Sequence, residues 1–307
     1  VWPRAPRIMK IFDCTTFFNE NTMLEVRLNI LNPYVHKFVI VESKYSHSGN
    51  KKKLNFDIKR FDKFKKKIIY LVVDEEPENL HSESNVNLKE KKLNPFRENA
   101  IKRIAHQRDY LLKGIQDADA NDFIFYSDND EIPKFENIDL NKNINRIVAF
   151  KQKLFYYKFN LFCDRVNWHG TRGCKKKHLK SFSWLRDIKI KRYSKFRFDT
   201  IFSNTKYIDL KIINDGGWHF SQLKSPEDLY IKLNNHEEHS EFKESKQTLS
   251  DIKDLIERKV INFDHNEKFH KYKYSKEFKL KNLSLNEMPK FLQKNVDKYS
   301  KWFDLPN

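Results

Sequence analysis

Short apolar runs alternate with helix-period stretches along the first half of the chain. Lys10-Ile-Phe-Asp13 is a brief apolar run closing in polar residues, and residues 23–31 carry Leu24, Leu28 and Leu31 at helical spacing, so strand then helix is expected. Phe38-Val-Ile-Val-Glu-Ser43 is a β-branched run too short for a helix; it ends in a polar cluster over 42–49 that predicts a loop. Ile68-Ile-Tyr-Leu-Val-Val73 repeats the pattern. From Phe96 to Asp117 the apolar positions Ile101, Ile104, Ala105, Leu111, Leu112 and Ile115 predict one long amphipathic helix with Gly114 near its end. Phe123-Ile-Phe-Tyr126 is a fourth buried strand that runs straight into Ser127-Asp-Asn-Asp-Glu-Ile-Pro133. Strands and helices alternating at this spacing predict an α/β fold with a mainly parallel sheet.

The second half is less regular. Strands are expected over 147–157, 188–193 and 208–213 and helices over 226–235 and 252–260, with short helices in a tail rich in Lys, Tyr and Phe. No Ser/Gly linker divides the chain. The expected organisation is a disordered leader or expression scar over 1–8, an α/β domain over 9–265, and a basic aromatic extension over 266–307 packed on that domain. No run approaches 18 apolar residues and the start lacks an apolar h-region, so neither a membrane span nor a secretory signal is predicted. Three cysteines, an odd and low count, point to a reducing compartment and the cytoplasm, although Cys163 and Cys174 are near enough in sequence to be bridged in an exported protein.

The 26 Phe supply large buried areas that disordered chains lack, so the chain should be globular. Its six glycines, at 49, 114, 170, 173, 216 and 217, form neither G-x-G-x-x-G nor G-x-x-x-x-G-K-[ST]. Dinucleotide-binding Rossmann enzymes and P-loop NTPases are disfavoured accordingly, and a bound nucleotide would need its phosphates neutralised by other means.

Asp128-Asn129-Asp130 is the sharpest chemical feature. Residues two apart in an extended segment share a side, which presents two carboxylates at the end of a buried strand, where open α/β sheets bind ligands. Two hard oxygen ligands suit Mg²⁺ or Mn²⁺, which in turn can hold a diphosphate; a solvated turn is the competing reading. Cys163, His169, Cys174 and His178 lack the close Cys pair of common zinc sites and read as part of a polar loop.

The formal charge of +18 raises a rival. Lys51-Lys-Lys53, Lys65-Lys-Lys67 and Lys175-Lys-Lys177 with interleaved aromatics could follow a phosphate backbone, making a nucleic-acid-binding protein or a two-metal nuclease built on Asp128 and Asp130. Their scatter, the absence of an RRM, KH or helix-turn-helix pattern, and the lack of further acidic partners beyond Glu131 count against it. A basic face on anionic lipid is a third use.

Four segments carry a family resemblance: Ile11-Phe-Asp-Cys-Thr-Thr-Phe-Phe-Asn-Glu20 with Leu24-Glu-Val-Arg-Leu28; Lys37-Phe-Val-Ile-Val-Glu-Ser43 with Ser46-His-Ser-Gly49; Ser127 to Pro133; and Gly216-Gly-Trp-His-Phe-Ser221. Jointly, in this order, the chain resembles glycosyltransferase family 17, the family of the bisecting β-1,4-N-acetylglucosaminyltransferases. The resemblance implies a GT-A fold, a Rossmann-like mixed and mainly parallel sheet flanked by helices with a helical C-terminal part. It implies a metal-dependent, inverting transfer of N-acetylglucosamine from UDP-N-acetylglucosamine to a glycan hydroxyl in β-1,4 linkage. Mn²⁺ or Mg²⁺ would be the cofactor, on Asp128, Asp130 and His219; a lone His beside Trp also reads as a core histidine. Asp13, Glu42, Ser43, His47, Arg103, Arg108, Asp128 and Trp218 would contact the UDP-sugar, with salt bridging to Glu98 or Asp109 as the simpler use of either Arg. The general base is sought among Glu131, Asp187, Asp215 and Glu241. Glu241, in a His-x-Glu-Phe run similar to one in the family, is chosen, with Glu131 second; a helix-capping Glu241 is the plain alternative. The implied acceptor is a glycan or lipid-linked glycan of bacterial-type surface assembly, met at the cytoplasmic side of a membrane that the Lys clusters could touch, with no nucleic acid as partner.

Overall fold

The structure is a computed structural model and describes residues 9–81, 95–136, 138–140, 142, 145–194, 196–235, 239–267 and 272–305. The expectation for residues 1–8 lies outside these. The first half follows the sequence pattern: β1 (Ile11–Phe17), α1 (Asn21–Leu31), β2 (Lys37–Ser43), β3 (Ile68–Val73), α2 (Pro95–Tyr110) and β4 (Phe123–Asp128). The expected long helix is α-helical only to Tyr110 and tightens into a 3-10 turn over Leu111–Ile115. Strands β3, β2, β1 and β4 lie side by side and all parallel. Because successive side chains point to opposite faces, each strand feeds two cores. Phe38, Ile40, Phe123 and Phe125 enter one with α1, and Val39, Val41, Ile124 and Tyr126 enter the other with Leu111 and Ile115.

The second half adds β5 (Glu131–Pro133), β6 (Ile147–Tyr156), β7 (Leu161–Lys175), α3 (Phe182–Asp187), β8 (Leu210–Ile213), β9 (Gly217–Ser221), α4 (Pro226–Leu233), α5 (His239–Glu244) and α6 (Leu249–Glu257). The sheet continues β4-β7-β6-β9-β5, with β7 antiparallel to β4 and β6, and with β8 and β9 each parallel to β6. The fold is therefore mixed α/β, a sheet flanked by helices. α4 starts where Ser225 caps Asp228, and α6 starts on a Thr248–Asp251 capping box.

Two expectations are corrected. Residues 188–193 form no strand: Ile188 is buried beside Leu185, and the segment leaves α3 as an irregular strap tied by a Lys189 N–H to Thr205 carbonyl bond of 2.8 Å. The polar stretch through Cys163, His169 and Cys174 is not a loop but the 15-residue strand β7. Its ends are buried and its middle is open, so it lacks the apolar alternation that marks a strand. Cys163 and Cys174 stand eleven residues apart on it, roughly 35 Å along an extended chain, so they cannot be bridged, and all three cysteines are buried free thiols. In the tail, β12 (Lys281–Asn282), which follows the short pair β10 (Val260–Ile261) and β11 (Phe278–Lys279), joins the sheet beside β7. Met288, Leu292, Tyr299 and Phe303 enter the same core as Phe17 and Phe220.

Candidate active site

At the C-terminal ends of β1, β2 and β4 the sheet opens into a cleft of about 780 Å³, within the range of small-molecule sites. Its floor is set by a buried polar frame. Arg27, fully buried on α1, donates to both carboxylate oxygens of Asp13 at 2.8 and 2.6 Å, to Ser127 Oγ at 2.7 Å and to the Glu131 carbonyl at 2.7 Å. This pins the turn after β4 to β1 and α1. Glu131, equally buried, accepts the Asp128 N–H at 3.0 Å, Trp168 Nε1–H at 2.8 Å, and both Arg186 amino groups at 2.9 and 2.8 Å. Gly170 makes room for this clamp: a Cβ there would stand 2.5 Å from Glu131 Cδ.

The acidic pair then divides. Asp128 accepts the Tyr126 hydroxyl at 2.8 Å and Arg186 Nη2–H at 2.8 Å, with Arg108 at 3.6 Å. Burial would raise its pKa, but Arg186 and Arg108 hold the carboxyl well below the usual range. Asp130 lies with Oδ1 3.5 Å from His219 Nε2 and Oδ2 3.9 Å from Lys232 Nζ. There too the burial penalty is outweighed, by His219 and Lys232, and the pKa is lowered. Lys232 also stands 3.9 Å from Glu20, which Lys224 approaches to 3.3 Å. Burial lowers the affinity of Lys232 for its proton, and Asp130 and Glu20 more than restore it.

Strand alternation on β9 sends His219 toward the cleft and Trp218 into the core, where its Nε1–H meets the Glu287 carbonyl at 2.7 Å. The β5–β9 pairing that sets His219 opposite Glu131 needs Gly217, whose φ is +121° and whose missing Cβ would lie 2.2 Å from the Ile132 carbonyl. The Trp168 ring packs on His219 with centroids 4.6 Å apart. Beyond them the cleft has a side chamber of about 190 Å³, faced by Tyr156, Phe263, His265 and Tyr274. Burial brings the pKa of His47 and of His265 down to about 4, so both are neutral at physiological pH.

Of the residues expected from sequence, Ser43, His47, Arg108, Asp128, Asp130 and His219 line the cleft. Asp13, Glu42, Arg103, Glu131, Trp218 and Glu241 do not. Glu42 accepts the Asn55 and Phe56 N–H groups at 2.8 and 3.0 Å, the Tyr70 hydroxyl at 2.9 Å and the Lys52 ammonium, which ties the loop after β2 to the sheet. Arg103 is held by Glu76 and backs the His47 carbonyl at 3.4 Å. Glu241, on α5, is paired with Arg97, and Asp215, in the turn before β9, with Lys134 at 2.7 Å. Asp187 does line the cleft; it is exposed and has no hydrogen-bond or ion-pair partner among the described residues. Glu20, Trp168, Arg186, Lys232 and His265 escaped the sequence reading. Glu20 closes one of the family-like segments, whereas Trp168, Arg186 and Lys232 come from β7, α3 and α4 and His265 from a turn after β10, and they share no motif.

Among the described residues no three His, Cys, Asp or Glu groups come together as a ready metal site, and the oxygens of Asp128 are engaged by Tyr126 and Arg186. Asp130 and His219 do fit as two ligands of one cation. Asp130 Oδ1 and His219 Nε2, the nitrogen that would be the ligand, stand 3.5 Å apart, beyond an ordinary hydrogen bond, while His219 Nδ1 on the ring's other side is buried without a partner among the described residues.

A solved structure similar to this chain is the inositol-1-phosphate CTP transferase from T. maritima, at 12% identity and a TM-score of 0.34 over 80% of this chain and 96% of that one. No curated protein sequence matches. The model of Glycosyltransferase family 17 matches residues 1–306, nearly every residue from the first strand's approach to the C-terminal tail. A cleft at the carboxyl ends of parallel strands, holding an acidic pair among cations, thus belongs to a sequence that fits one transferase family from end to end, and the chain is a member of glycosyltransferase family 17.

Proposed function

We propose that the cleft binds a UDP-sugar, UDP-N-acetylglucosamine by likeness to the family, and transfers the sugar with inversion to a hydroxyl of a glycan acceptor in β-1,4 linkage. The observation that carries this reading is the convergence of Arg108, Arg186 and Lys232 around Asp128 and Asp130 in a cleft that has no glycine loop to hold phosphates. These cations turn N–H donors toward a diphosphate, but Asp128, Asp130, Glu131 and Glu20 already balance their charge, so the net neutralisation would come from the divalent cation. Ser43 and neutral His47, after β2, offer hydrogen bonds to the nucleoside without adding charge. Asp130 and His219 would hold a divalent cation, Mn²⁺ suiting the imidazole better than Mg²⁺. When bound, it supplies further neutralisation of the diphosphate leaving group.

In this reading Asp187, rather than Glu241 or Glu131, is the general base, because it lines the cleft and is exposed. The acceptor hydroxyl oxygen bonds to the anomeric carbon as its proton passes to the Asp187 carboxylate, and the anomeric bond to the diphosphate breaks with its electron pair going to the UDP oxygen. Glu131 is fully spent on Arg186, Trp168 and the Asp128 N–H, and Glu241 is turned to Arg97. Trp168 offers a ring face on which a sugar can stack. The acceptor in this reading is a glycan or lipid-linked glycan of bacterial-type surface assembly, the lipid-linked form being met at the inner face of a membrane.

Calorimetric titration of UDP and UDP-N-acetylglucosamine, with Mn²⁺ and with EDTA, tests the donor. Binding that needs the metal and weakens at least about tenfold in Asp130→Ala is the expected result. No binding under any metal condition overturns the donor assignment. Binding indifferent to EDTA would remove the metal and leave Arg108, Arg186 and Lys232 as the diphosphate partners.

A further inference from the structure

The strap between α3 and β8 has its polarity inverted. Its base is closed by the Lys189 to Thr205 bond and by Trp184 Nε1–H on the Asn204 carbonyl, both 2.8 Å. Within it Arg197 donates twice to Asp199 at 2.7 and 2.9 Å, Lys206 reaches the same carboxylate at 2.7 Å, and the buried Thr200 hydroxyl bonds the Arg197 carbonyl at 2.6 Å. The apolar residues do the opposite: Phe196, Phe198, Ile201 and Phe202 are 88, 77, 69 and 89% exposed. Three rings at that exposure present roughly 500 Å² of apolar surface within seven residues, toward the upper end of the ~300–600 Å² of the largest patch on an ordinary monomer. Lys189, Lys191 and Arg192 are exposed just before them, and among the described residues none has an ion-pair partner.

We propose that this strap anchors the protein to an anionic bilayer, seating Phe196, Phe198 and Phe202 at the acyl boundary with Lys189, Lys191 and Arg192 on the headgroups. Exposed rings with exposed cations close by in sequence suit a lipid interface, where apolar insertion and headgroup attraction add. The Lys triplets contribute less than their sequence suggests. Lys52 is bound to Glu42, Lys67 to the Asn32 and Val35 carbonyls, and Lys176 to the Gln116 and Ala118 carbonyls. Helix α3 carries Arg186 and Asp187 into the cleft and Trp184 to the strap's base, so anchoring here would hold the cleft near the bilayer. That last step rests on the lipid-linked acceptor reading; the anchoring itself does not.

Cosedimentation of the full chain with vesicles of phosphatidylcholine alone, or mixed with phosphatidylglycerol, tests the anchor without donor or acceptor. The expected result is salt-sensitive binding to the anionic vesicles, reduced at least about tenfold in the triple variant Phe196→Ser, Phe198→Ser, Phe202→Ser. That variant should melt and bind UDP like the wild type. In a separate variant, Phe202→Trp, the emission should shift to the blue on anionic vesicles. Absence of vesicle binding, or binding that the triple variant leaves intact, overturns the proposal. So does a wild-type dimer that the triple variant dissociates, since the rings would then be covering each other.

Discussion

Two carboxylates near the cleft show how environment decides what an acid can do. Glu131 is sealed beneath the floor with each oxygen hydrogen-bonded, while Asp187 stands open at the rim. Asp187→Asn should therefore lower kcat by about 10²–10⁴ with UDP affinity unchanged, and Glu241→Gln should leave kcat near the wild-type value; steady-state kinetics with calorimetry on both variants checks this. Arg27 belongs to the frame beneath them. Arg27→Met leaves the Asp13 carboxylate buried and unpaired, a loss of about 3–5 kcal/mol measurable as a fall in the urea unfolding midpoint. At this scale the acidic pair was legible because Asp128 and Asp130 are sequence neighbours following an apolar run. Arg186 was not: its partners Asp128 and Glu131 are more than fifty positions away, and nothing around it in sequence marks it.

Among the elements, β9 does the most to assemble the site. It brings His219 against Asp130 and turns Trp218 away, and it can lie so close to β5 because residue 217 has no side chain and a left-handed backbone. Gly217→Ala combines backbone strain with a clash on the Ile132 carbonyl and should cost about 2–3 kcal/mol or more. It should also displace His219, so thermal unfolding and metal-dependent UDP binding would fall together. A variant that melts normally would show that β5 can move aside. The first-half elements were readable because parallel strands buried on both faces are continuous apolar runs. Strand β7 was not, since its open middle carries Trp168 beside the cleft and its polar residues imitate a loop. The Ile-Lys alternation of 188–193 misled in the other direction, Ile188 being buried by α3 rather than by a neighbouring strand.

For the molecule as a whole, burial of neutral His47 and His265 makes folding sensitive to acid. Both have pKa values near 4 in the folded chain against 6.5 as the ordinary value, so between those limits the unfolded chain takes up protons that the folded one refuses. Stability should be flat above pH 6.5 and fall as pH drops toward 4, by about 1–2 kcal/mol per histidine once partial solvent access is allowed for. Urea unfolding across that window should show the slope, and the double variant His47→Asn, His265→Asn should reduce it, leaving the part owed to His36, His169 and His178, whose pKa values burial also lowers. An unchanged slope would assign the acid sensitivity to other groups. The net charge of +18 is also a whole-molecule property, and tertiary structure redistributes it: one lysine of each triplet serves a carboxylate or backbone carbonyls, while Lys189, Lys191 and Arg192 of the strap have no ion-pair partner among the described residues and lie close in sequence to the exposed rings.

The sequence by itself determined the α/β alternation, the acidic pair at the end of the fourth strand, the lack of a glycine phosphate loop and the likeness to family 17. Each of these is written in residues that are adjacent or share a short period. Only the tertiary structure decided which residues face one another in the cleft. Asp13, Glu42 and Glu131, expected near the ligand, are spent holding backbone and Arg27 or Arg186, because a buried carboxylate must have its hydrogen bonds filled by whatever the fold brings to it. Asp187, Lys232 and Trp168 reach the cleft from α3, α4 and β7, whose meeting depends on strand order and register over more than sixty residues. Such long-range pairing leaves no local periodic signal.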